Sequence, residues 1–138
     1  MIAYADASVI LRIAFGEPGA SWKREQVDGI VSSVLTEVEC FRTLDRKYVL
    51  GLLTPEQLVL RHATVHRALG TLTFVEMSRR ILRRASEGIA TPLGSLDAIH
   101  LATALAWQED HDQPVLMATH DAALSLAARA YGLEVIGA

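Results

Sequence analysis

The chain reads as an α/β fold: a parallel sheet of four or five strands flanked by helices, an α/β/α sandwich in a single domain over residues 1–138. Three observations predict it. Short apolar runs alternate with longer amphipathic ones along the whole chain, the pattern of βα units. The segment Pro114-Val-Leu-Met-Ala118 is apolar without interruption, as a strand buried on both faces must be. The breaks between runs carry helix caps and glycines, which mark ends and not linkers.

In order, Ile2–Ala5 is a first strand that stops at Asp6-Ala-Ser8. Val9, Ile10 and Ile13 then suggest a short helix, broken by Glu17-Pro18-Gly19. Gly29–Ser33 is a second strand, feeding a helix from about Val34 to Leu50. On that helix Val34, Val38, Phe41 and Tyr48 mark an apolar face with Leu44 beside it, and Glu39, Arg42 and Arg46 lie on another. Thr54-Pro55-Glu56 opens the next helix with a capping hydroxyl and proline at the first helical position; it runs to Leu69 and Gly70. Leu72–Val75 is a third strand. A helix starting at Ser78 carries Arg79, Arg80, Arg83 and Arg84, a basic stripe that is either a solvated face or a contact for RNA or a partner. Ser95 is read as the N-cap of a long helix to about Asp110, with Asp97 in its first turn, where the helix dipole favours a carboxylate. After the strand at 114–118, a helix runs to Tyr131 and a short strand closes the chain at 133–136.

Composition narrows the function. With 51% hydrophobic and 21% charged residues the chain is globular, and a net charge of −3 argues against coating nucleic acid by bulk attraction. A nuclease stays compatible, since bound divalent cations would reverse the sign. The lone Cys40 excludes an internal disulfide, and no uncharged apolar run approaches the length of a membrane span, so the expectation is a soluble cytoplasmic protein. There is no Gly-rich phosphate loop and no Ser–His–Asp pattern. His62 and His66 share a helical face but lack the acid of a zinc-protease motif. A phosphoacceptor receiver domain needs a late lysine, and the lysines here, Lys23 and Lys47, come early; a dehalogenase-like phosphatase needs Asp-x-Asp where this chain has Asp6-Ala-Ser8. Trp22 and Trp107 read as core or interface residues.

Four acids stand out by position. Asp6 follows strand one, Asp121 follows the buried strand, and Asp97 begins a helix; all three belong at the carboxyl edge of the sheet, where open α/β folds bind ligands. Glu39 lies more than a turn into its helix but is long enough to reach back. Carboxylates gathered at one place repel unless something neutralises them, and a hard divalent cation, Mg2+ or Mn2+, has the matching oxygen chemistry. Such a site suits phosphoryl transfer through a water made acidic by the metal.

Tyr4-Ala-Asp6-Ala-Ser8, Leu35-Thr-Glu-Val-Glu39-Cys-Phe-Arg42, Leu96-Asp97-Ala-Ile-His-Leu-Ala-Thr-Ala104 and Thr119-His-Asp121 together resemble the motifs of PIN-domain ribonucleases, in the order and chain length of the VapC-like toxins of toxin–antitoxin pairs. The resemblance implies a metal-dependent endoribonuclease with Asp6, Glu39, Asp97 and Asp121 as its acidic site. Ser8 and Thr119 would support them by hydrogen bonds. Glu37 competes with Glu39; the family pattern of an acid shortly before an arginine, here Arg42, favours Glu39, whose alternative role is an ion pair with that arginine. His100, one turn after Asp97, reads as a packed histidine that could bond near the site, and His120 as one that points elsewhere. The resemblance further implies a homodimer that binds a cognate antitoxin. The competing reading is a non-catalytic PIN-like module that binds RNA or protein.

Overall fold

A computed structural model describes residues 1–17, 27–88 and 91–137. The elements run β1 (Ile2–Ala5), α1 (Ala7–Phe15), β2 (Gly29–Ser33), α2 (Leu35–Val49), α3 (Pro55–Leu69), β3 (Thr73–Val75), α4 (Arg79–Ser86), α5 (Ser95–His111), β4 (Val115–Ala118), α6 (Ala122–Ala130) and β5 (Val135–Ile136). All five strands are parallel, in one sheet ordered β3-β2-β1-β4-β5. The chain builds outwards from β1 in one direction, then crosses to build β4 and β5 in the other, so the topological switch lies between β1 and β4. Pro18, Gly19, Trp22 and Lys23 lie outside the described residues.

Side-chain alternation along the strands divides the core in two. Ala3 and Ala5 of β1 face Val9 and Ile10 of α1, Cys40 and Leu44 of α2, and Val65 and Leu69 of α3. Tyr4, between them in sequence, faces the opposite way, into a cluster with Leu101, Leu105 and Trp107 of α5 and Leu124 of α6. The sheet is thus covered on both faces, as a parallel sheet requires. Leu44 is completely buried. Leu44→Ala is expected to cost about 2–5 kcal/mol, read from the denaturant midpoint of unfolding.

Local signals set most helix ends. Thr54 accepts from Gln57 N while the Gln57 side chain accepts from Thr54 N, a reciprocal capping box with Pro55 at the first helical position. Ser78 caps α4 through Ile81 N. Helix α1 closes at Gly16, whose left-handed φ of 61° lets its amide reach back to the carbonyls of Arg12 and Ile13.

Two details differ from the sequence reading. Gly94, not Ser95, occupies the N-cap of α5, with no side-chain cap bond. The backbone is already extended at Gly94, so the helix starts one residue sooner and its first-turn amides have no side-chain acceptor at the cap. The second concerns α2: its buried stripe is Thr36, Cys40 and Leu44, and Val38 and Tyr48 are exposed. Cys40 and Leu44 pack with Ala3, Val65 and Leu69, and Thr36 Oγ1 is hydrogen-bonded to Ser32 Oγ of β2.

The basic stripe is partly spoken for. Arg80 bridges Glu109 and Asp110 at the end of α5, at 2.9 and 2.7 Å, and Arg84 pairs with Glu109. Trp107 is buried, as a core residue. Among the described residues no helix is long and apolar enough to cross a membrane.

Candidate functional site

The carboxyl edge of the sheet at the β1/β4 switch brings together residues that are far apart in sequence. Asp6 is the first residue beyond β1 and the N-cap of α1, its Oδ1 accepting from Val9 N at 3.2 Å. The same oxygen accepts from Ser8 Oγ at 2.6 Å, and Oδ2 accepts from Thr119 Oγ1 at 2.6 Å. Asp6 is 4% exposed, and three donors hold its carboxylate at the one place where β1 and β4 end side by side.

The two supporting hydroxyls are themselves held. Thr119 Oγ1 accepts from Asp121 N at 3.0 Å, and Ser8 Oγ accepts from His120 N at 3.1 Å. Each hydroxyl thus spends its hydrogen on Asp6 and a lone pair on the turn after β4. This laces the β1 exit to the β4 exit and places Asp121 beside Asp6. Asp121 caps α6 through Oδ1, which accepts from Leu124 N at 2.8 Å, and remains partly exposed.

Asp97 enters from the first turn of α5 and is partly exposed. Its pKa is raised, first by burial, then by the negative charges of Asp121, Asp6 and Glu39, with His100 acting in the opposite sense. Asp97 is therefore close enough to feel the other three acids. Among the described residues no Lys or Arg is paired with any of them.

Glu39 comes from α2, on the other face of the sheet from α5. Its side chain is 22% exposed and its Oε1 accepts from His100 Nε2 at 2.5 Å. The ion pair with Arg42 does not form, because Arg42 points to solvent and meets Asp45 instead. Glu37 is exposed and does not share this contact.

His100 and Tyr4 are what residue-by-residue reading underweighted. Tyr4 OH lies 2.6 Å from His100 Nδ1 and accepts from Ser33 N at 3.2 Å. Burial drives the phenol pKa far up, so Tyr4 is a neutral hydroxyl that can donate. A usable signal existed: a tyrosine within a buried strand needs a partner for its hydroxyl. The Nε2 of His120 is buried without a hydrogen-bond partner.

The four carboxylates do not close into a cage. Among the described residues no three His, Cys, Asp or Glu side chains form a group that could hold a metal ion. The donor chemistry still fits a hard divalent cation, because the oxygens are uncompensated carboxylates. Mg2+ commonly takes only one or two protein carboxylates, the rest of its shell being water and phosphate oxygens.

A parallel α/β sandwich with acids from four segments converging on the edge of its sheet defines a class of fold and site. The PIN domain family model matches residues 3–130, and the chain belongs to the PIN-domain family. No curated protein matches it in sequence. Solved structures with the same fold include PAE2754 from Pyrobaculum aerophilum (19% identity, 98% of this chain and 84% of that chain, TM-score 0.67). VapBC2 from Rickettsia felis, solved bound to a DNA fragment from its promoter, is 11% identical over 98% of this chain and 97% of that one, with a TM-score of 0.69. VapBC-1 from nontypeable Haemophilus influenzae is 15% identical over 98% and 96%, with a TM-score of 0.62.

Proposed function

We propose that this chain is the toxin of a toxin–antitoxin pair, an Mg2+- or Mn2+-dependent endoribonuclease. The observation that carries the reading is the set of four carboxylates brought from four separate segments to one end of the sheet, none of them paired with Lys or Arg among the described residues. When bound, a divalent cation would supply charge neutralisation and an acidified water for attack on the phosphodiester.

The protein's own part is to present oxygen. Asp6, locked by three donors, offers a carboxylate of fixed position. Asp97 and Asp121 stand partly exposed beside it, able to reach a cation and the substrate side. Glu39 approaches from the opposite layer, held by His100. Phosphate oxygens of RNA would complete a shell that one or two of these carboxylates begin.

A protein partner is supported by the α2–α3 hairpin, where Val49, Leu50, Leu52, Val59 and Leu60 are each at least 66% exposed. Apolar surface of this kind marks an interface. We assign it to the second copy of a homodimer and to an antitoxin; the antitoxin is supported by the VapBC structures among the solved neighbours.

The test is direct. Purified protein incubated with total cellular RNA and Mn2+ is expected to create discrete new ends, absent when EDTA is added. Expression alone should arrest growth, relieved by co-expression of an antitoxin gene from the same locus. RNA binding with no new ends under any divalent cation would instead establish the non-catalytic module.

A further inference from the structure

We infer that His100 is a positioning residue that aims Glu39 at the acidic site, with Tyr4 setting the tautomer of its ring. The inference rests on the metal-dependent reading above and adds to it the device by which the fourth acid is held in place.

The geometry is a relay that crosses the edge of the sheet. Tyr4 and His100 belong to the layer of α5, and Glu39 to the layer of α2. His100 is 1% exposed and makes a hydrogen bond with each ring nitrogen, Nδ1 to Tyr4 OH and Nε2 to Glu39 Oε1. An ionised carboxylate only accepts, so Nε2 must carry the hydrogen. In the neutral ring Nδ1 is then an acceptor and needs a donor. Tyr4 supplies it, since its oxygen already accepts from the Ser33 amide and its own hydrogen is free for Nδ1. Ser33 N, Tyr4 OH and His100 Nε2 thus donate in one direction, and the chain ends on the accepting carboxylate of Glu39.

The placement matters because Glu39 reaches the site from mid-helix on a long side chain. Asp6 and Asp121 are fixed as N-caps, and Asp97 stands on a shorter side chain in the first turn of its helix. Glu39 has three rotatable bonds from mid-helix, and its helix neighbour Arg42 is engaged elsewhere. The Oε1 oxygen is held by His100, and Oε2 has no hydrogen-bond partner among the described residues. Fixing a ligand through a histidine behind it is a general means of tuning a metal site, and loss of such a partner costs about 10- to 100-fold in metal affinity or activity.

Two amides separate positioning from packing. In His100→Asn the amide lies level with Nδ1, so it can meet Tyr4 but is too short to reach Glu39. In His100→Gln the amide nitrogen lies level with Nε2 and can donate to Glu39. Mn2+ affinity by isothermal titration calorimetry, and kcat and KM on a cleaved RNA, are measured for both beside the wild type, with melting temperatures as the check on folding. The Asn variant is expected to lose about 10- to 100-fold in Mn2+ affinity and in kcat with KM for RNA unchanged, and the Gln variant to recover most of both. Tyr4→Phe should lower both in the same direction by less. An Asn variant that binds Mn2+ and cleaves like the wild type, or a Gln variant no better than the Asn variant, overturns the assignment. Absence of Mn2+ binding by the wild type itself would overturn the metal-dependent reading, and this inference with it.

Discussion

Asp97→Asn is expected to abolish RNA cleavage and, in the metal-free protein at neutral pH, to raise the melting temperature. The two effects share one cause. Asp97 is the carboxylate on which the charges of Asp121, Asp6 and Glu39 converge, over and above its burial. Its folded-state pKa lies above the ordinary carboxylate value, so the folded chain binds this proton more tightly than the unfolded one. Stability from that group is therefore present at low pH and lost as pH rises through the raised pKa. At neutral pH the ionised carboxylate opposes folding, and the isosteric amide relieves it. The advantage of the variant should shrink as pH falls through the raised pKa and vanish below the ordinary carboxylate range. Saturating Mg2+ should reverse the order, because a cation that binds the folded wild type stabilises it by mass action and the amide weakens that binding. Cleavage should fall by more than about 100-fold, the upper end of what removing a mere neighbour of a ligand costs. Melting curves at pH 7.5 and pH 4, with EDTA or Mg2+, decide the matter. A variant that cleaves normally, or melts like the wild type throughout, contradicts this account.

Cleavage is expected to leave 5′-phosphate and 3′-hydroxyl ends and to stop completely on chelation. RNA can instead be cut by its own 2′-hydroxyl, giving a cyclic phosphate, but that route needs an acid and a base poised near neutrality at the scissile bond. The chain has five histidines, and none is placed for it. His100 is buried with both nitrogens bonded, and the buried Nε2 of His120 has no partner. His62 and His66 flank Phe41 between α2 and α3, and His111 stacks on Trp107 at the far end of α5. The proposed route, through carboxylates and a cation-activated outside water, needs no histidine as acid or base. A 2′-deoxy substitution at the cut site should therefore slow the reaction without preventing it. End-group analysis of a cleaved oligonucleotide checks the chemistry: cyclic phosphate formed in EDTA would refute it.

The sequence by itself determined the elements and most of their ends. Strand and helix periodicity, the Thr54 and Ser78 caps and the uninterrupted run before Thr119 act within a few residues, so they are visible before the chain folds. The fold class followed, and so did the positions of Asp6, Asp97 and Asp121, because an acid at a strand exit or helix start needs only its local neighbours to be placed. Tertiary structure decided the rest. That β1 is central, with β2 and β4 on either side of it, is a matter of pairing between distant segments, and it is what sets Thr119 against Asp6 across 113 positions. Which stripe of α2 is buried depended on what distant segments present to it: Cys40 and Leu44 join Ala3, Val65 and Leu69, and Thr36 meets Ser32 of β2. Gly94, and not Ser95, stands at the N-cap of α5, one residue before the start that the capping signal marks. The Glu39–His100–Tyr4 relay could not be read locally at all, since its members come from three elements on two sides of the sheet and meet only where its carboxyl edge lets side chains cross.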